Sequence, residues 1–340
     1  MTGQPAQATA AVTLGREYIV ATGTCLPEHL AAVGGKAVGL GSLLRAGQRV
    51  PASFVITAAA YQDYLAGGAR GLSPAGREVI MRAYSALCEP GGADLPVAVR
   101  SSAAAEDSTD ASYAGQFRTF LGATGIEEVL SQVEQCWIAA AGPGVSSYRA
   151  GRNQHSADSA VAVIVQEMVD ARVAGVMFSQ HPRTGDRSLV VIESSYGLGE
   201  AVVGGAVVPD LFEVNRITRR IHRSRMGAKS VEHRLGAGGR AVHILPVDPA
   251  RQNGWSISDE EIARIVTMAG DLEAGLGRGL DVEWAIGTTP GTEGEEALYA
   301  LQARPITVIP RQPSAASPNM NAVEHILGRL AGRRPENGAP

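Results

Sequence analysis

The sequence predicts a mixed α/β fold, and three observations lead to this prediction. Helical and strand patterns alternate along the first half of the chain, the second half is richer in strand patterns, and one long helical pattern interrupts it at residues 259–277. At 340 residues the chain is long enough for about two domains with cores of their own. We divide it into an N-terminal lobe, residues 15–180, and a C-terminal lobe, residues 181–310.

Composition excludes several classes of protein. A hydrophobic content of 45% with 19% charged residues is typical of a soluble globular chain. The formal net charge of -4 and the lack of a basic run with interleaved aromatic residues argue against nucleic-acid binding. No apolar run approaches the roughly 20 residues that span a bilayer, and residues 1–12 lack the order of a signal peptide. We therefore expect a cytoplasmic protein that binds no membrane.

The first half yields a series of predicted elements. The patterns predict a helix over 39–46 that ends at Gly47, a strand over 53–57, a helix that Thr57 caps, a strand over 96–100, a helix over 126–140 and a strand over 161–166. Residues 1–14 and 311–340 are rich in small and polar residues, so we expect both tails to be mostly disordered, with a short helix over 323–330.

In the second half the patterns predict strands over 174–180, 189–195 and 210–216, then a helix over 259–277 that Ser258 or Asp259 caps. A hairpin follows over 279–308. Successive side chains of a strand point to opposite faces, so the apolar residues Leu280, Val282, Trp284 and Ile286 share one face and Asp281 and Glu283 the other. In the second strand the alternation places on one face Leu298, Ala300, Gln302 and Arg304.

The hairpin admits two interpretations. Pairing of its strands would bring two carboxylates, an amide and a guanidinium onto one surface, and such a set suits a metal-bound phosphate. The alternative is the solvated face of an amphipathic hairpin.

Two further motifs could bind phosphate. Gly34 and Gly35 precede Lys36, which opens a helix, and a lysine at a helix N-terminus adds to the positive end of the dipole. The adjacent glycines do not match the GxxxxGK[ST] phosphate loop.

The second of these motifs is at Arg100, which ends a buried strand before a loop of small residues over 101–116. This loop could deliver a guanidinium and several donors to a phosphate chain. The alternative is an exposed loop in which Arg100 pairs with Glu106 or Asp107.

Two weaker patterns complete the set. The strand that ends at residues 166–169 could present backbone groups to an adenine edge, although most such transitions bind nothing. The glycines between residues 194 and 214 could form a flexible lid or a tight connection between strands.

The cysteines at 25, 88 and 136 lie too far apart for a CxxC pair, and the histidines do not cluster, so structural zinc is not expected.

Seven stretches, taken in order, resemble one family. They read VGGKAVGLGSLLRAGQRVPASFVITAAAY, AVRSSAAAEDSTDASYAGQ, QEMV, AGVMFSQHPRTGD, SYGLGEAVVGGAVVPD, DVEWAI and LQARPIT. Over residues 33–308 the chain resembles the N-terminal nucleotide-binding domain of the phosphoenolpyruvate synthase family, which includes pyruvate, phosphate dikinase and rifampin phosphotransferase. The resemblance implies an α/β, two-lobed ATP-grasp fold of the pyruvate phosphate dikinase N-terminal type, with ATP and Mg²⁺ as cofactors.

The resemblance also implies roles for individual residues. Those implied to bind the ATP phosphates and to act in catalysis are Lys36, Arg100 and Arg304, with Thr119 near the phosphate chain. Those implied to surround adenine are Gln166, Glu167, Met168 and Val169. The implied magnesium ligands are Glu283 and Gln302, with Asp281 supporting nucleotide or metal binding.

The sequence departs from the family pattern at several positions. Ala104 and Ser108 stand where a threonine and a leucine are more frequent, and Phe117 and Arg118 stand where Gln and Asp are common. His181 stands where Asn or Asp is usual. These departures concern loop details and substrate positioning, while the metal and phosphate residues match.

Full-length relatives carry a swivelling domain with a phosphohistidine in a TSHAA-like sequence and a domain that binds the acceptor, and these 340 residues hold neither. We therefore predict the ATP-grasp subunit of a split dikinase, which converts Mg-ATP to AMP and phosphate. It would phosphorylate a histidine on a separate partner protein, which passes the phosphoryl group to a small acceptor. The alternatives are direct activation of a small biosynthetic substrate and a degenerate nucleotide-sensing module.

Overall fold

The computed structural model describes residues 17–67, 71–89, 94–104, 118–141, 160–277, 279–289 and 294–306. The two predicted tails, the short helix over 323–330 and most of the small-residue loop after Arg100 lie outside these ranges. No helix in the described part of the chain is long and apolar enough to cross a membrane.

The first sheet lies within residues 19–167. Its strands are β1 (Ile19–Ala21), β2 (Ser53–Ile56), β3 (Val97–Ala103), β4 (Thr119–Ala123) and β5 (Val161–Glu167), in the order β1-β2-β5-β3-β4 with every pair antiparallel. The helices of this region are α1 (Leu30–Arg45), α2 (Ala58–Gly67), α3 (Pro74–Cys88) and α4 (Ile126–Ala141). Helices α2, α3 and α4 share a core with one face of the sheet, where Tyr61 and Tyr64 pack against Trp137.

The second sheet uses most of the remaining strands. These are β6 (Asp170–Phe178), β7 (Leu189–Tyr196), β8 (Asp210–Asn215), β9 (Ile221–Arg225), β10 (Val231–Leu235), β11 (Val242–Pro246), β12 (Leu280–Thr288) and β13 (Ala297–Pro305). The six-stranded order is β13-β12-β6-β7-β8-β9, and β10 and β11 form a hairpin of their own. The helices are α5 (Glu200–Val203), α6 (Pro249–Gln252) and α7 (Asp259–Leu276). Helices α1 and α7 contribute to one core that also takes side chains from both sheets.

The mixed α/β class is confirmed, and two layers of antiparallel sheet agree with the two lobes that the resemblance implies. Sheet membership changes between Glu167 and Asp170, so β6 belongs to the second sheet although the sequence-based division at residue 180 assigned it to the first lobe. We propose that the junction lies at residues 168–169.

The predicted helix caps differ in outcome. Ser258 caps α7 as predicted, through a capping box with Glu261. Thr57 directly precedes α2, and the hydrogen bond observed for its hydroxyl is one that it donates to the carbonyl of Glu17 at 2.6 Å. Thr57 thereby ties the start of α2 to the segment that leads into β1.

The faces of the hairpin β12–β13 correct another expectation. Trp284 and Ala300 share the core beneath the sheet, whereas Glu283 is paired with Gln302. Between these pairs the register shifts, so Leu301 is the extra residue of a β-bulge. The bulge reverses the alternation of β13, and Leu298 and Ala300 face the core while Gln302 and Arg304 face the opposite side with Glu283 and Asp281. The four residues of β13 therefore do not share one face.

Candidate functional site

A cavity of about 310 Å³ lies between the two sheets. Of the eleven residues that sequence reasoning singled out, those that line it are Lys36, Arg100, Thr119, Gln166, Glu167, Met168, Val169, Glu283, Gln302 and Arg304. The remaining one, Asp281, lies on the same face of β12 as Glu283, beside the cavity. Residues separated by more than 200 positions in the chain are thus brought to one place by the fold.

One end of the cavity is charged, and we call it the phosphate end. Arg100 extends from β3 of the first sheet to the second sheet, where it donates to the carbonyl of Leu301 at 3.3 Å and to the side-chain oxygen of Gln302. The carboxylate of Glu283 lies 3.5 Å from Arg100 and accepts a hydrogen bond from Arg304 at 3.2 Å. One carboxylate between two guanidinium groups leaves an excess of positive charge, which favours an anionic ligand.

The hydrogen bonds of this end are incomplete. Among the described residues, no partner is present for the buried Nε of Arg100, the Nε2 of Gln166 or the Nε2 of Gln302. A buried donor without a partner costs about 1–3 kcal/mol, so most such groups in native proteins have a partner. Three unsatisfied donors around one cavity indicate a ligand that is rich in oxygen acceptors. Glu106 and Asp107, the alternative partners of Arg100, lie outside the described residues.

Lys36 reaches the same end from α1. Gly34 breaks the regular helix with φ +77° and ψ 167°, so the lysine lies in the first turn of the regular part. A Cβ on Gly34 would lie 2.3 Å from atoms of Ser102, so only glycine permits this approach to β3. The ammonium group of Lys36 donates to the carbonyl of Ser101 at 3.0 Å. The structure thereby places the lysine and the positive end of a helix dipole at the phosphate end.

Asp281 has an unusual environment for a carboxyl group. Its pKa is raised from 3.8 to about 6, chiefly by burial; the guanidinium of Arg304 acts in the opposite direction, and the carboxylates of Glu283 and Glu193 contribute smaller increases. The register of the hairpin pairs Asp281 with Arg304. The Asp281 carboxyl therefore titrates close to neutral pH, within reach of the phosphate end.

The other end is apolar, and we call it the adenine end. Its cavity-lining side chains include Ala98, Met168, Val169, Leu198 and Ala285, which also form a hydrophobic cluster. The backbone N–H groups of Glu167 and Met168 donate to the carbonyls of Ala52 and Pro96, at 2.8 and 2.9 Å. These two amides are therefore used within the protein, and they do not remain available for an adenine edge.

Sequence reasoning missed one wall of the cavity. Leu198, Gly199, Glu200, Val203 and Gly204 line it and belong to the stretch for which a lid or a tight connection was open. The spacing of the glycines was the available signal, but it did not single out the carboxylate of Glu200. This side chain is 51% exposed, and it pairs with His233, which is not itself part of the cavity lining.

His181 does not line the cavity. Its Nδ1 accepts hydrogen bonds from the backbone N–H groups of Arg183 and Thr184 at 3.2 and 3.4 Å. An Asn or Asp side-chain oxygen stabilises a turn in the same way, which explains how histidine is accommodated where the family usually has those residues.

No group of three or more His, Cys, Asp and Glu residues in the described ranges is arranged to hold a metal ion. Glu283 and Gln302 can nevertheless offer two oxygen ligands from paired positions on β12 and β13. Mg²⁺ usually takes only one or two protein ligands when phosphate oxygens supply others, so these residues fit Mg²⁺ together with a phosphate ligand.

The chain is similar in sequence to several known proteins. The family described as pyruvate phosphate dikinase, AMP/ATP-binding domain, matches residues 69–325. A probable phosphoenolpyruvate synthase of Archaeoglobus fulgidus is 36% identical over 84% of this chain and 41% of its own length. Its counterpart in Methanothermobacter thermautotrophicus is 36% identical over 83% of this chain and 45% of its own.

The prodigiosin synthesizing transferase PigC of Serratia marcescens is 36% identical over 81% of this chain and 31% of its own length. The chain thus spans less than half the length of each of these relatives. Among solved structures, D-alanyl-alanine synthetase A of Vibrio cholerae overlaps with a TM-score of 0.34 at 10% identity, covering 88% of this chain and 67% of the synthetase. An overlap at this level carries no argument about function.

Proposed function

Because this chain belongs to the pyruvate phosphate dikinase AMP/ATP-binding domain family, we propose that it is the ATP-grasp unit of a dikinase-type phosphotransferase. In this proposal it uses Mg-ATP to phosphorylate a histidine on a swivelling domain of a separate partner protein. The partner then passes the phosphoryl group to a small acceptor. The observation that carries the proposal is the cluster of Arg100, Glu283, Gln302 and Arg304, with its unsatisfied donors, at one end of a cavity between two sheets.

The two ends of the cavity suit the two ends of a nucleotide. Adenine would lie against the apolar side chains of Met168, Val169 and Leu198, where burial of its ring is favourable. The phosphates would extend toward Lys36 and Arg100, with the transferring phosphate at Arg304. In this orientation the negative charge of the ligand meets the excess positive charge of the phosphate end.

Magnesium enters the proposal through Glu283 and Gln302. Their side-chain oxygens belong to the ligand class that Mg²⁺ prefers. When bound there, Mg²⁺ would neutralise part of the phosphate charge.

The protein residues supply positioning and electrostatic stabilisation, which account for most of the catalysis of phosphoryl transfer. Lys36 and Arg100 would hold the phosphate chain in place, and Arg304 would stabilise negative charge on the group in transfer. A nitrogen of the partner histidine would form a bond to the β-phosphorus as the bond to the α,β-bridging oxygen breaks. AMP leaves with that oxygen, and a water molecule releases the γ-phosphate as inorganic phosphate.

The test is a chromatographic analysis of nucleotides. The purified protein is incubated with Mg-ATP and a swivelling histidine domain from a full-length phosphoenolpyruvate synthase, and the same domain with its histidine replaced by alanine is the control. Formation of AMP, phosphate and phosphohistidine with the intact domain alone is the expected result. Formation of ADP alone would favour direct activation of a small substrate, and nucleotide binding without turnover would favour a sensing module. Failure to bind Mg-ATP at millimolar concentration would contradict both catalytic functions.

A further inference from the structure

We propose that His233 is a positioning residue that fixes the carboxylate of Glu200 at the cavity wall and thereby contributes to nucleotide affinity. The inference rests on the proposed function, because it assumes that the cavity holds a nucleotide. His233 itself lies outside the cavity lining, on β10 of the separate hairpin. Its effect on the ligand is therefore exerted through Glu200.

The side-chain contact is the first observation. The Nδ1 of His233 lies 3.0 Å from Oε2 of Glu200, and Glu200 lines the cavity as the first residue of α5. His233 is buried, with 7% of its surface exposed, whereas the carboxylate is half exposed. The buried His233 ring restricts the rotation of the Glu200 side chain. Because the side chain is already restricted, less conformational entropy is lost when a nucleotide binds.

The environment of the ring defines the direction of the hydrogen bond. Among the described residues no hydrogen-bond partner is present for the buried Nε2 of His233. An unpaired buried N–H group is costly, so the assignment that fits is a neutral ring with its proton on Nδ1. The ring then donates to the carboxylate, and asparagine, which can place an N–H group at the position of Nδ1, can replace it.

The backbone of His233 holds the same wall. Its carbonyl accepts a hydrogen bond from the N–H of Leu198 at 2.8 Å, and a Cβ on Gly197 would lie 2.3 Å from this oxygen. Gly197 has φ +77°, a conformation that glycine adopts without strain. Main chain and side chain of one residue thus contact Gly197, Leu198 and Glu200, and the last two of these line the cavity.

The hairpin that carries His233 is anchored to both sheets. Arg234 donates to the carbonyl of Ala171, a cavity residue at the start of the second sheet, at 3.3 Å. At the turn of the hairpin, a Cβ on Gly239 would lie 2.5 Å from the Pro96 ring beside the first sheet. The hairpin β10–β11 therefore has fixed contacts on both sides of the cavity and can hold Glu200 in a defined place.

The test is a double-mutant cycle on the affinity for a non-hydrolysable ATP analogue, measured by calorimetry with Mg²⁺ present. We expect His233→Ala to weaken binding about fivefold to tenfold, within the range for loss of one ordinary hydrogen bond, because the Glu200 carboxylate is half exposed to solvent. His233→Asn should stay within about twofold of the unchanged protein, since the amide keeps the donor. In a Glu200→Ala background, His233→Ala should cause no further loss, because coupled residues are not additive.

Three results would overturn the inference. These are an equal loss from His233→Ala with and without Glu200, no loss at all, and a His233→Asn variant as weak as His233→Ala at an unchanged melting temperature. If His233→Ala does not fold, the comparison of His233→Asn with His233→Gln replaces it, because the longer side chain moves the donor away from the Nδ1 position. Failure of the unchanged protein to bind the analogue would instead refute the proposed function, and with it the basis of this inference.

Discussion

At the phosphate end of the cavity, charged and amide side chains contact one another across two sheets, whereas the adenine end is lined by side chains of a hydrophobic cluster. Within the described part of the chain, the first arrangement leaves donors without partners and places carboxylates close together, so it is costly to the fold. The side chains of the second arrangement are apolar, so they pack against one another and need no hydrogen-bond partners. The phosphate end therefore provides polar groups for a ligand at a cost in stability, whereas the packing of the adenine end adds to stability.

The largest effect is expected from loss of charge at the phosphate end. Arg304→Ala should lower the rate of phosphohistidine formation by about 10³-fold or more, because it removes a cation that stabilises the transferring group. Glu283→Ala should abolish transfer by removing a magnesium ligand. Circular dichroism should show an intact fold in both variants, since neither side chain belongs to a hydrophobic core. Wild-type turnover in either variant would show that the site is assigned incorrectly.

The second-largest effect is expected from a change in the backbone at the phosphate end. Gly34→Ala should lower the free energy of unfolding by about 3 kcal/mol or more, because it combines a positive φ with overlap against Ser102. Gly47→Ala is the matched control, since Gly47 has φ +74° but no atom within 4 Å of an added Cβ. Its cost should be about 1–2 kcal/mol. Thermal unfolding of both variants measures the difference, and equal losses would contradict the tight contact between α1 and β3.

The hairpin β12–β13 shows how much of the phosphate end could be predicted from the sequence. Alternation along β12 correctly placed Asp281 and Glu283 opposite the core, because no irregularity interrupts that strand between the two residues. The extra residue Leu301 in β13 could not be foreseen, because the alternation of side chains read from the sequence does not reveal where a β-bulge inserts a residue. Without it, Gln302 would share a face with Ala300.

Contacts between distant segments also limit what can be predicted from the sequence. Family motifs identified Lys36 and Arg100, and both line the cavity. The position of His233 depends on the packing of a separate hairpin against residues 197–200, and no local pattern encodes that packing. Strand β9 was missed because all its residues are exposed, so it lacks the alternation by which strands are recognised.

A smaller effect is expected from the electrostatic cost of the buried Asp281 carboxyl at the phosphate end. Asp281 has a pKa of about 6 in the folded protein against 3.8 as its ordinary value, so the folded state binds the proton more tightly. The contribution to stability is complete below pH 3.8 and is lost as the pH rises toward 6. Asp281→Asn avoids this loss.

We therefore expect Asp281→Asn to be more stable than the unchanged protein at pH 8, by about 1–2 kcal/mol. The advantage should diminish as the pH falls from 6 to 4. Urea unfolding at a series of pH values measures it, and the exposed Asp271→Asn serves as the control. A pH-independent difference between the two proteins would mean that burial does not perturb the Asp281 carboxyl.

The smallest effects are expected from conservative exchanges, and they separate the two ends most directly. Met168→Leu preserves volume in the hydrophobic cluster, so it should cost less than about 1.5 kcal/mol of stability and change nucleotide affinity by less than about threefold. Arg304→Lys preserves charge but loses the planar fork that binds phosphate through two hydrogen bonds, so it should still lower the transfer rate by about tenfold or more. Calorimetry and the transfer assay test both variants. A tolerant Arg304→Lys variant would mean that the phosphate end requires only net charge, and its geometry would then no longer distinguish it from the packed end.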